Sequence, residues 1–124
     1  MKLKEFRLYG TTDSSGDATV TGDAVDGKVY AVAWIDGDLA NNNTAVLSTI
    51  NHEAATTLLT LAAGEGDDDI VYYPRAVVHD AGATALTGTA GGDRVMPIAI
   101  GNLQLVIAAG GSLKSGGCLI FIEE

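Results

Sequence analysis

Positive charge is what this chain has least of. Its 124 residues carry seven Lys and Arg against sixteen Asp and Glu, a formal net charge of −9, with a pI near 4.4. Nucleic-acid surfaces need clustered cations to meet phosphates, so that class of partner is excluded. The deficit is also uneven. No basic residue falls between Lys28 and Arg75, whereas Asp36, Asp38, Glu53, Glu65 and Asp67 to Asp69 all do. Solvation and colloidal stability explain such a stretch; attraction to a basic partner surface is the sharper alternative. A single cysteine, Cys118, rules out an internal disulfide and with it a disulfide-stapled secreted module. It lies in the apolar run GCLIFI, where a lone Cys acts as a small core residue. No apolar run is long enough to span a bilayer as a helix. Charges interrupt the N-terminal MKLKEFRLYG where a signal peptide needs continuous apolar residues. A soluble protein without an export signal is therefore expected. The sequence shows no composition break, linker or repeat of fixed period, so residues 1–124 are read as one domain.

What is present points to strands and turns. Hydrophobic residues make up 47% of the chain and mean hydropathy is positive, the opposite of a disordered composition. A chain of this length buries roughly two-thirds of its unfolded surface, enough for a sizeable core. Ala, Val, Ile and Thr dominate beside 16 glycines. KEFRLY alternates, with Phe6 and Leu8 on one face and Glu5 and Arg7 on the other. A turn is predicted at Asp13–Gly16, a short strand through Ala18 and Val20, and a second turn over Gly22–Gly27. VYAVAWI (29–35) is apolar throughout, as a strand buried on both faces would be. TAVLSTIN and TTLLTLA follow as strands joined at HEAA; one helix over 51–63 is the alternative, with an Asn start and a Gly stop. Pro74 in IVYYPRAVV marks an edge strand or bulge. Gly101-Asn102 is a two-residue hairpin candidate between VMPIAI and LQLVIAA, and CLIFI is the last strand. The spacing predicts an all-β, single-domain antiparallel β-sandwich or barrel of about eight or nine short strands.

Several fragments imitate chemical motifs and fall short of them. AGEGDDDIV (63–71) misses only the first glycine of the calcium β-helix nonapeptide, but those sites need stacked copies and no second copy exists. A solvated loop tip that keeps a hairpin edge from pairing explains the three aspartates. Neither DSSGD nor DGDLANNN fits an EF-hand loop. His52-Glu53 opens H-E-x-x-H, but Thr56 stands at the second His position. His79-Asp80 could orient an imidazole as a base, yet no nucleophile carries a local signature; a surface His in an Asx-type turn is the plainer reading. TAGGD and GGSLKSGG lack the phosphate-loop pattern. No catalytic residue, metal ligand or cofactor is expected. Trp34 is placed in the core. YYPR, with Tyr72, Tyr73 and Arg75, is a stiff amphipathic edge segment of residue types enriched at interfaces; a packed Tyr with Arg on the rim is the alternative.

Taken together, TTDSSGDATVTG (11–22), VYAVAWIDGDLA (29–40), TTLLTL (56–61), YYPRAVVHDAGATALTGTAGG (72–92) and MPIAIGNLQLVIAAGGSLKSGG (96–117) resemble small tailed-bacteriophage virion proteins of the capsid decoration, or cement, type. The likeness runs from Thr11 onward and is strongest over YYPRAVVHDAGATALTG. It implies a compact, often jelly-roll-like sandwich, made in the host cytoplasm and seated as a dimer or trimer on the outer capsid, with the major capsid protein lattice as partner. It brings no catalytic motif. Lys2, Lys4 and Arg7 form a local positive cluster in a segment, 1–8, that would dock as a strand or arm on an acidic shell. A tail, neck or head-fibre component belongs to the same class. A glycan-binding sandwich and a small β-barrel enzyme using His79 and Asp80 are the competing readings.

Overall fold

The computed structural model describes residues 2–77 and 94–123. Among these residues there is no helix. Nine strands follow in order: β1 Leu3–Thr11, β2 Ala18–Ile35, β3 Thr44–Ile50, β4 Thr57–Leu61, β5 Ile70–Tyr72, β6 Ala76–Val77, β7 Arg94–Val95, β8 Ile98–Ala108 and β9 Ser115–Glu123. Seven of them form one antiparallel sheet in the order β1-β9-β2-β8-β3-β4, with β5 added beside β2, while β6 and β7 pair separately. The chain is all-β.

The strands are less uniform than their predicted spacing. β2 runs 18 residues without a break, so no turn interrupts Gly22–Gly27. Two local devices let it continue. Between Thr21 and Ala24 the register against β8 shifts, which is a bulge. At Gly22 a Cβ would collide with the Leu8 side chain from β1; glycine here supplies room for a neighbour, not a turn. β8 likewise runs straight through Gly101-Asn102, so the hairpin expected there does not form. Gly101 has φ +116°, and a Cβ would strike the Ile50 carbonyl of β3. The glycine marks the point where a neighbouring backbone comes close. TAVLSTI and TTLLTL do form β3 and β4, paired with each other, and the helix alternative over 51–63 is not realised. The predicted Asp13–Gly16 turn is present: the Asp13 carboxylate accepts the Ser15 and Asp17 N–H groups, and Gly16 has φ +87°.

β2 organises the molecule because its two halves have different partners. Ala18–Lys28 pairs with β8 and Lys28–Ile35 with β9, so Lys28 is paired to both Ile98 and Glu123. β5 adds to the second half at Val32–Trp34. Buried side chains from β1, β2, β3, β4, β8 and β9 make one cluster that includes Leu8, Val29, Val32, Trp34, Leu47, Leu105, Ile107, Ile120 and Ile122. A gap of about 10 Å³ among Val32, Trp34, Ala45, Leu47, Leu59, Leu61, Leu105 and Cys118 lies in that cluster, barely the room one water needs. Fully burying such side chains contributes about 1.5–3 kcal/mol apiece. The core is well filled. Thr12, itself buried, holds the β1–β2 connection to the β8–β9 connection: its Oγ1 donates to the Gly111 carbonyl and accepts the Lys114 N–H.

Candidate functional site

Strand alternation separates the N-terminal cations. Along β1, Leu8 is buried and Phe6 half-buried while Glu5 and Arg7 are exposed, as the alternation of KEFRLY predicts. Lys4 shares the Phe6 face, its ammonium 5.2 Å from that ring's centroid. Arg7 lies on the opposite face, 4.8 Å over the Tyr9 ring. Lys2 is exposed beyond the strand. β1 pairs with β9 from Leu3 to Thr11 without a bulge, so residues 3–8 are part of the sheet rather than a free arm. Lys4 and Arg7 thus stand on different surfaces.

The YYPR segment divides as well. Tyr72 closes β5 opposite Val32, packs against the core and donates its hydroxyl to the Glu65 carbonyl at 2.7 Å. Burial, helped by the Glu65 charge, raises its pKa above 10.0. Tyr73 turns outward and is 56% exposed. Its ring meets Tyr30 edge to face at 6.0 Å. The Arg75 guanidinium lies 6.0 Å from both ring centroids and donates to the Tyr30 carbonyl at 3.1 Å. Such cation–ring contacts hold an arginine in place without neutralising it.

Tyr30 reaches this position through a second bulge. The β2–β9 register skips it, pairing Val29 with Ile122 and Ala31 with Phe121. The extra residue re-aims its side chain, so the ring leaves the core while Val29, Ala31 and Val32 stay buried. Beside it opens a groove of about 740 Å³ lined by Lys28, Tyr30, Arg75, Ala76, Val95, Met96, Pro97 and Ile98. Val95 and Ile98 are 49% and 57% exposed. Among the described residues no Asp or Glu lines the groove, although Glu123 stands opposite Lys28 in the β2–β9 register. Sequence reading singled out Arg75 and missed Lys28, Tyr30, Val95 and Ile98. Only the strand pairing brings them together, and the nearest signal in the sequence was Pro97 just before Ile98.

At the other end of the second half of β2 lies the acidic loop that opened the calcium question. Its carboxylates are occupied with backbone: Asp67 accepts the Asn42 N–H and Asp69 the Asp36 N–H, both at 2.8 Å, while Glu65 accepts the Ala62 N–H at 2.6 Å. The loop also supplies the Gly66 carbonyl to the Trp34 indole N–H at 2.9 Å. Asp68 is exposed. Burial, then the charges of Asp67, Asp69 and Asp68, raise the Asp36 pKa above 3.8. Asp36 Oδ1 and the Oδ1 of fully buried Asn43 have no hydrogen-bond partner within the protein. Among the described residues no three His, Cys, Asp or Glu side chains are arranged to hold a metal. His52 is used locally, its Nδ1 accepting the Ala54 N–H at 2.9 Å. Cys118 is buried in the core, where desolvation pushes its thiol up to about 12, far from a nucleophilic thiolate. His79 and Asp80 lie outside the described residues.

Comparison with protein-family models, with curated proteins and with solved structures finds no match to this chain.

Proposed function

We propose that this chain is a structural virion protein, a capsid decoration or cement protein that binds the major capsid protein lattice from outside and stabilises it. In this reading the seven-stranded sheet wraps on itself as a jelly-roll-like sandwich, and copies act as a homo-oligomer on the virion surface. No reaction is assigned to it. The observation that carries the proposal is where the polar chemistry sits. Among the described residues, Lys28, Tyr30 and Arg75 line an open groove, and Asp67, Asp68 and Asp69 share one loop tip. The residue resemblance from Thr11 onward gives that surface its setting. High net acidity keeps free copies apart, and a lattice presents many sites, so modest contacts add up to firm retention.

The test uses shells assembled without the chain. Purified chain added back is expected to fill them to a fixed ratio and raise their heat resistance. Shells that stay bare would overturn the reading. A glycan-binding module displayed on a virion is favoured by one observation, the exposed Tyr73 ring beside Tyr30. A glycan array with repeated hits lost in Tyr73→Ala would establish it. Imaging of virions separates a shell position from a tail, neck or head-fibre one.

A further inference from the structure

We propose that copies of this chain associate head to tail, the acidic tip at Asp67–Val71 of one copy seated in the Lys28–Arg75 groove of the next. The two surfaces lie at opposite ends of the second half of β2. Ile35, next to the Asp36 that contacts the tip, and Lys28, which lines the groove, are seven residues apart along the strand, about 20 Å at the strand rise. That exceeds the screening length of about 8–10 Å at physiological salt, so the opposite charges cannot satisfy each other within one copy. Between copies they can.

The match extends beyond sign. The tip presents Asp68 and Asp69, both exposed, followed at once by Ile70 and Val71, 42% and 50% exposed. The groove presents two cations beside Val95, Met96, Pro97 and Ile98. An acidic-then-apolar segment therefore faces a basic-and-apolar receptor. Interfaces of this kind gain orientation from the charges and affinity from the buried apolar centre. Arg75 is already held by Tyr30 and Tyr73, which lowers the ordering cost of using it. Because the two surfaces differ, the contact is heterologous and closes into a ring when the rotation between copies allows it. A second copy is the occupant favoured over a foreign acidic partner because the complement is carried by the chain itself.

The inference deepens the oligomer in the proposed function, but it is tested without any shell, so either can fail alone. Light scattering on purified wild-type chain, from micromolar to near-millimolar concentration, is expected to show a concentration-dependent oligomer. Two variants are then compared, Lys28→Ala with Arg75→Ala, and Asp68→Lys with Val71→Lys. Each alone should be monomeric, the first lacking a groove and the second a tip. Their equimolar mixture should form a one-to-one dimer and nothing larger, because one intact tip and one intact groove remain. Thermal melts confirm that both variants fold. If either does not, Arg75→Gln and Asp68→Asn take their place, and each should weaken wild-type association several-fold. A wild-type monomer at every concentration, or variants that keep the wild-type mass, would overturn the proposal.

Discussion

The two ends of the second half of β2 use charge in opposite ways. At the acidic end, Asp67 and Asp69 accept backbone N–H groups, and the loop is tied to the core through the Trp34 indole. At the basic end, Arg75 and Lys28 face an open groove, with Arg75 held, among the described residues, by rings and carbonyls. One end uses Asp67 and Asp69 to hold the fold and keeps Asp68 exposed. The other keeps its cations available. That difference, more than the net charge, separates structural side chains from those free to meet a partner.

The sharpest break in the comparison is at Trp34. Trp34→Ala removes a fully buried ring and the bond to Gly66, and should cost about 3–5 kcal/mol in denaturant unfolding. Trp34→Phe keeps most of the packing and should cost less than half of that. If both cost the same, the indole N–H rather than the ring anchors the loop. Within the tip, Asp69→Ala loses the bond to the Asp36 N–H, worth about 1.5–3 kcal/mol for a charged partner and less here because one repelling charge leaves Asp36. Asp68→Ala loses no such bond and should be neutral or stabilising in the same melts. Equal losses at both positions would show that the tip is not held by its caps.

A smaller effect follows from Asp36. Its folded pKa is raised, by burial first and then by Asp67, Asp69 and Asp68. The fold therefore favours the protonated form. That stabilisation is fully present below the ordinary value of 3.8 and is lost as pH rises through the raised folded value, so at neutral pH the ionised group is a net cost. Asp36→Asn should melt above wild type at pH 7, and the gap should close as pH falls toward 3.8. A gap that persists or widens in acid contradicts this. The smallest stability change is expected at the groove, where Arg75→Gln should stay within about 0.5 kcal/mol of wild type. A large loss there would make Arg75 a structural residue like Asp69, and the contrast between the ends would fail.

Much of the fold was readable in the chain. Alternation in KEFRLY located Leu8, continuous apolarity in VYAVAWI located the buried half of β2, and the lone Cys118 is a core residue. Glycine misled twice, at Gly22 and Gly101, because a residue that admits a turn also admits a close neighbour inside a strand. Sequence alone does not tell a Leu8 side chain from a loop. The site was half visible. Tyr72, Tyr73 and Arg75 were singled out as an interface segment, but Lys28 and Ile98 reach Tyr73 and Arg75 only through β2–β8 pairing, and Tyr30 only through a bulge. The cations at Lys4 and Arg7 look adjacent in the chain and are parted by alternation.

Side-chain-resolution imaging of capsid shells mixed with the purified chain bears most directly on the proposed role, in which its outward surfaces rather than a pocket do its work. The account predicts the nine-strand fold in repeated copies on the outside of the shell. Copies absent from the shell, with the protein found instead in solution around a bound small molecule, would contradict it.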